Sequence, residues 1–295
     1  MQQGISTHVF LPQRLTTGLL DALRGSGAGT IEVFAARHHF DYTDRRAVRE
    51  TADWFKSNSV SATLHMPLFT AEDEENWSRH TAPTLNLIDS NKNARIEAMD
   101  EVKRALEAAE LVPFKSCVVH LGLREDRWDT RALDDSLTAI EHLKAFASPL
   151  GVKLLLENLT HGVSAPAHLM EILRVGHFDS VGVCFDVGHA HLIEGGVEEA
   201  FAVLEPRIGE LHLHDNHGID GGRGDEHLWP AMEDERRVAA GTIEWGELYE
   251  LTSRLPEAVV GMLEVAGTQA ESSEEAARLA GKVFAEQRRL AEMQG

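Results

Sequence analysis

Residues 153–158 read Lys153-Leu154-Leu155-Leu156-Glu157-Asn158, a near-continuous apolar run that ends on a carboxylate and an amide. A strand with one wet face alternates apolar and polar positions. A run without alternation suits a sheet buried on both faces, the situation of parallel strands covered by helices. Similar segments recur outward in both directions, each packing apolar and β-branched residues into a few positions bounded by turn or helix signals. They cover residues 4–10, 30–34, 60–66, 116–121, 153–158, 181–186, 210–215 and 259–265. Helical patterns fill the gaps. In residues 94–111, Ile96, Met99, Val102, Leu106 and Ala109 recur at three- and four-residue steps, with Asp89 or Ser90 placed as N-cap. In residues 271–293, Ser272 and Glu275 match a capping box ahead of the stripe Ala276, Leu279, Val283 and Leu290.

Strand and helix therefore alternate eight times, which predicts an α/β chain closed into a single (β/α)8 TIM barrel, parallel and eight-stranded, as one domain over residues 1–295. An open doubly wound sheet is the competitor. Its first strand-to-helix turn needs a glycine fingerprint, and residues 7–15 contain no Gly. Two long connections, residues 67–93 and 216–242, follow strands, so both are expected at the barrel mouth.

Composition narrows the function classes. Lys and Arg number 28 against 48 Asp and Glu, a formal net charge of −20, which disfavours a nucleic-acid partner whose phosphates need basic side chains. At 43% hydrophobic and 26% charged the chain can bury a sizeable core, which excludes wholesale disorder. Cys117 and Cys184 each sit in an apolar stretch and read as reduced, buried thiols. Residues 1–7 are polar without a basic start, and no stretch approaches the ~18 apolar residues of a membrane span. The expectation is a cytoplasmic, soluble protein with no membrane partner.

Chemistry collects at the C-terminal ends of the inferred strands, where barrel active sites form. His65 ends the third and His120 the fourth. Glu157 ends the fifth, and Asp186 closes the sixth with His189 just beyond. His212 lies in the seventh, where alternation sends His212 and His214 to one face; the following loop adds Asp225-Glu226-His227, and Glu264 ends the eighth. If the barrel closes, Glu157, Asp186 and Glu264 converge on a small volume, where mutual repulsion forces protonation unless a cation compensates. With His212 as nitrogen donor, mixed carboxylate and imidazole ligation suits Mn, Co, Fe or Zn better than a calcium cage. His38, His39, His168 and His177 read as ordinary surface or helix histidines. Trp128, Trp229 and Trp245 are candidate pocket walls, and Arg223, between Gly222 and Gly224, is a candidate contact for an anionic substrate group.

In order and spacing, Leu156-Glu157-Asn158, Phe185-Asp186-Val187-Gly188-His189, His212-Leu213-His214-Asp215-Asn216, Asp225-Glu226-His227, Gly241-Thr242-Ile243-Glu244-Trp245 and Leu263-Glu264 resemble the xylose isomerase-like TIM-barrel superfamily over nearly the whole chain. That superfamily contains sugar and sugar-phosphate isomerases and epimerases together with an apurinic endonuclease branch. Resemblance to the first branch implies one divalent ion (Mn, Co, Zn, Fe or Mg) on Glu157, Asp186, His212 and Glu264. It implies an enediolate mechanism on a carbohydrate-like small molecule, with Glu157 and Glu264 as catalytic acid and base. Two glutamates on opposite faces give epimerisation; one group working on a single face gives aldose–ketose interconversion. Resemblance to the endonuclease branch implies a multinuclear zinc site on His65, His120, Glu157, Asp186, His189, His212, Asp225, His227 and Glu264. Against it stand the net charge and Glu72, Asp73, Glu74 and Glu75 in the connection after the third strand; Arg124 and Arg127 beside Trp128 form a small basic patch. In the isomerase reading His65, His120, His189, Asp225 and His227 become substrate contacts or orienting groups, and Arg223 and Trp229 further substrate contacts. A catalytically silent binding barrel is the third alternative.

Overall fold

Parallel strands β1 (Gln2–Ser6), β2 (Thr30–Phe34), β3 (Ser61–His65), β4 (Phe114–Val119), β5 (Lys153–Glu157), β6 (Gly182–Asp186), β7 (Ile208–Leu213) and β8 (Val260–Leu263) follow one another around a closed barrel, each paired with its sequence neighbour and β8 with β1. The structure is a computed structural model that describes residues 1–74, 82–230, 241–266 and 272–294. Period-two alternation divides each strand. Ile31, Val33, Ala62, Leu64, Leu211 and Leu213 face the helices and join the main apolar core, while the alternate positions turn inward. The inward positions are identified by bonds that cross the cylinder: Glu32 on β2 reaches His212 on β7, and Thr63 on β3 and Ser116 on β4 both reach Glu210 on β7. The barrel interior is thus partly polar, with Val118, Leu155 and Cys184 as a small apolar plug. Cys117 and Cys184 are free and buried.

Boundaries differ from the sequence expectation where side chains capture backbone groups. The first strand ends at Ser6 instead of running to residue 10, because the Ser6 hydroxyl accepts the His8 N–H (3.2 Å) and starts a 3-10 turn over Thr7–Phe10. That turn lifts His8 out of the sheet to the mouth. The helix expected from residue 94 begins at Lys92, capped by Asn91 and not by Asp89 or Ser90; Asp89 instead accepts the Asn91 N–H (2.7 Å) and builds the preceding turn. Ser272 caps Ser273–Gln294 by accepting the Glu275 N–H, as the sequence pattern requires; position 271 lies outside the described residues. β4, β7 and β8 each end two residues early, which leaves His120, His214 and Glu264 on the first loop positions above the sheet. His39 is buried, not superficial, with its Nδ1 against the Gln13 carbonyl. No helix among the described residues is long and apolar enough to cross a membrane.

Candidate metal centre

The strand ends deliver their polar residues to one end of the barrel. Asp186 ends β6 and caps the short helix Val187–His191, accepting the His189 N–H at 2.6 Å, so one turn brings His189 back over the barrel. The loop after β7 is tied down by a two-hydrogen-bond bridge between Asp215 and Leu228 and by the Ala266 N–H to the His227 carbonyl (2.7 Å). His227 adopts φ +45°, a left-handed conformation uncommon outside glycine though histidine enters it more readily than most residues, and its side chain lines the mouth. Asp215 organises the next segment through the Trp245 indole (2.9 Å) and the Ile243 N–H (3.2 Å).

Five groups of donors among the described residues have their ligand atoms within 4.8 Å of one another, and three of them gather the residues of the strand ends: Glu157, Asp186, His212 and Glu264; His65, His120 and Glu157; and His189, His214, Asp225 and His227. Glu157 belongs to two of these three. Its Oε2 lies 2.8 Å from His120 Nε2 and 3.5 Å from His65 Nε2, and its Oε1 lies 3.4 Å from His189 Nδ1 and 3.5 Å from His212 Nδ1. Asp225 Oδ2 stands 2.9 Å from both His189 Nε2 and His227 Nε2. His214 joins the third set, its ring stacked on His227 at 3.9 Å with Nε2 3.0 Å from Asp186 Oδ1.

Electrostatics follow from this crowding. Burial pushes the Glu157 carboxyl up, but His120 and His212 beside it bring it well below the ordinary carboxylate range. Glu264 behaves alike, burial opposing and His212 prevailing, and Asp225 is held low by His227 and His189 against its burial. Burial also resists charge on His212, His189 and His227, yet neighbouring acids raise all three, His227 to about 10. A cluster that borrows protons to balance its carboxylates is one where a cation can replace them. The donor set fits such an ion in a second respect: His212 Nδ1 is buried without a hydrogen-bond partner while facing the oxygens of Glu264, Glu157 and Asp186 at 3.2, 3.5 and 3.9 Å. Mixed carboxylate and imidazole ligation suits zinc and the first-row transition ions.

Above the donors lies a cavity of about 700 Å³. His8, His65, His120, Glu157, His189, Asp225, His227 and Glu264 line its floor, and Leu11, Phe34, Leu68, Phe69 and Leu85 an apolar wall. Asp186 and His212 sit deeper, beneath the floor, with no exposed surface. Arg124 is the one Lys or Arg among the described lining residues. Several sequence expectations part from this geometry. Arg223 is exposed and Trp229 buried, and neither lines the cavity. Trp128 stacks on His168 and Trp245 packs beneath Asp215, so neither walls it. The acidic run is not a uniform barrier: Glu74 is buried against His38, and Glu75 lies outside the described residues, as do residues 231–240 of the second long connection. His8 and His161, which the sequence pattern does not single out, also line the cavity; burial lowers each to about 4. His8 is legible only if β1 stops at Ser6. His161, in the loop after β5, carries no sequence signal.

Gly188 makes the third set possible. A Cβ built there would stand 2.0 Å from the His214 ring. Gly188→Ala is expected to push His214 off Asp186, lowering stability by about 1–3 kcal/mol, and thermal unfolding against wild type measures it.

A family model described as xylose isomerase-like TIM barrel matches residues 20–283. An uncharacterized protein of Methanocaldococcus jannaschii is 25% identical over 260 residues, 85% of this chain and 78% of that one. A probable endonuclease 4 of Natronomonas pharaonis is 25% identical over 166 residues, 51% of this chain and 58% of that protein. Among solved structures, a D-tagatose 3-epimerase-like protein superposes with TM-score 0.74 at 21% identity, covering 100% of this chain and 99% of that one. An IolI protein with a binding zinc atom gives TM-score 0.76 at 19% identity, covering 97% and 98%.

Proposed function

The chain belongs to the xylose isomerase-like TIM-barrel family, and from that premise we propose that it is a divalent-metal-dependent isomerase or epimerase of sugars, sugar phosphates or related polyols. The observation that carries this reading is the placement of two buried glutamates, Glu157 and Glu264, in one donor set with Asp186 and His212, both opening on the same cavity. Glu157, Asp186, His212 and Glu264 would hold a divalent cation, which would supply positive charge to a substrate carbonyl and its neighbouring hydroxyl and so make the adjoining C–H more acidic. Glu157, held ionised by His120 and His212, is suited to accept that proton. Glu264, just past β8 and three strands around the closed barrel from Glu157, would take up a proton and return it on the other side. The imidazoles of His65, His120 and His189 then meet substrate hydroxyls, and the apolar wall excludes water from the reacting carbons. The one arginine among the described lining residues and the net charge of −20 favour a small, weakly charged substrate over a phosphate strand. The free thiols accord with a cytoplasmic setting, and the epimerase-like and zinc-binding structures of the same fold accord with the substrate class and the metal.

The test is proton NMR of the metal-loaded protein with a panel of ketoses and aldoses in heavy water. Exchange at a carbon alpha to the carbonyl is expected, and Glu264→Gln is expected to slow it by about 10²–10⁴-fold. Exchange that continued at the wild-type rate in Glu264→Gln would remove its proton-transfer role.

A second reading, a zinc-dependent phosphodiesterase of the endonuclease type, is favoured by the two additional donor sets, which exceed what a single-ion isomerase needs. Elemental analysis giving about three zinc ions per chain, together with nicking of abasic duplex DNA, would place this reading first. One ion and no nicking support the isomerase.

A further inference from the structure

Three of the mouth histidines owe their orientation to main-chain carbonyls. A carbonyl oxygen only accepts, so Nδ1 of His65, His189 and His227 carries the proton toward Met66 (2.8 Å), Asn158 (3.1 Å) and Glu264 (2.8 Å), and each ring presents Nε2 to the cavity. His212 is reversed. It presents Nδ1 to the carboxylates, and its Nε2 lies 3.2 Å from Oε2 of Glu32, a side chain on β2 at the opposite side of the cylinder. Both residues are 0% exposed.

Glu32 is costly to hold there. Its other oxygen, Oε1, is buried with no hydrogen-bond partner, and a second carboxyl, Glu210, belongs with it and His212 to one group of donors within 4.8 Å. Glu210 has its own partners in Ser116 (3.1 Å) and Thr63 (3.4 Å). Two acids side by side in a barrel interior oppose folding, and an apolar residue would fill the space more favourably. The one polar contact Glu32 makes with another side chain in the described structure is the bond to His212.

We propose that Glu32 is the positioning residue of His212: its carboxylate accepts the Nε2–H, which fixes the orientation of the ring and leaves Nδ1 aimed at the space between Glu157, Asp186 and Glu264. The histidine is thereby oriented as a ligand before any cation arrives, and an arriving cation would take the place of the Nδ1 proton. A carboxylate partner also raises the basicity of the ligating nitrogen more than a carbonyl does, so this ring is the strongest nitrogen donor of the centre. The inference rests on reading that group as a metal site.

The experiment uses the full-length chain freed of metal and titrated with Co²⁺ against a competing chelator, with the visible ligand-field spectrum recorded at saturation. Glu32→Gln keeps the volume and removes the charge. It is expected to weaken Co²⁺ binding about 10–100-fold and to shift the spectrum. A carboxylate with a merely structural role would lower the melting temperature and leave affinity and spectrum unchanged, and that result would overturn the proposal. Glu210→Gln, which removes an adjacent acid not bonded to His212, is expected to bind Co²⁺ close to the wild-type affinity. An equal loss in both variants assigns the effect to general pocket charge and overturns it too. Nitrogen-15 NMR of wild-type His212 with Zn²⁺ bound needs no variant: protonated Nε2 is expected, and protonated Nδ1 contradicts the proposal. Wild-type protein that takes up no cation overturns the metal reading and this inference together, whereas tight wild-type binding with an unaffected Glu32→Gln overturns this inference alone.

Discussion

Glu157→Ala is expected to lose the cation of the Glu157, Asp186, His212 and Glu264 group, and with it at least about a thousandfold in activity. The carboxylate is 1% exposed and is the hinge of the centre, since one oxygen faces His65 and His120 while the other faces His189 and His212. Removing it leaves the His65 and His120 rings without an anion and the Asp186, His212 and Glu264 group with one oxygen donor fewer. His65→Ala touches only the first of these sets. Elemental analysis after gel filtration compares the two variants. In a multinuclear centre Glu157→Ala drops about two ions and His65→Ala about one; in a single-ion centre His65→Ala keeps its metal and Glu157→Ala loses it. A Glu157→Ala protein with its full wild-type complement would show that the carboxylate holds no cation.

The metal-free protein is expected to be most stable near pH ~6.5 and to weaken on both sides. His227, His212, His189 and His65 have folded values above the ordinary histidine value of ~6.5. Their contribution is therefore complete below pH ~6.5 and is lost as pH rises through the folded values, about 10 for His227. On the acid side His8, His39 and His161, buried and lowered to about 4, must charge on unfolding, so stability falls from pH ~6.5 toward 4. Glu157, Glu264 and Asp225, all depressed, add a further loss below the carboxylate range. The raised histidines and depressed acids are the same ion pairs seen from each end and are not summed. A tenfold difference in proton affinity between the folded and unfolded chain is worth ~1.4 kcal/mol. The melting temperature should therefore fall by roughly 5 °C between pH 6.5 and 8.5. Saturating Zn²⁺ should flatten that alkaline limb, because the ion then balances the carboxylates and its ligands bind best deprotonated. An alkaline limb of equal slope with and without Zn²⁺ argues that the acids are not ligands.

The sequence by itself determined the barrel and the level at which its chemistry sits. Near-continuous apolar runs such as residues 154–156 require cover on both faces, eight such strands alternating with helices close a cylinder, and a two-residue period fixes that Asp186, His212 and Glu157 share the inner face. Those are local rules, set by neighbours a few positions away. Only the tertiary structure decided what meets across the cylinder: that Glu157 stands between two donor sets, that Glu32 and His212, 180 positions apart, touch, and that Arg223 and Trp229 stay outside the cavity. It also decided that His8 rises to the mouth, because one serine hydroxyl ended β1 four residues before the apolar pattern did. The reason is physical. Strand tilt and stagger set distances across a barrel, and the proton on an imidazole goes to whichever nitrogen finds an acceptor, so both depend on groups that folding alone brings within about 3 Å.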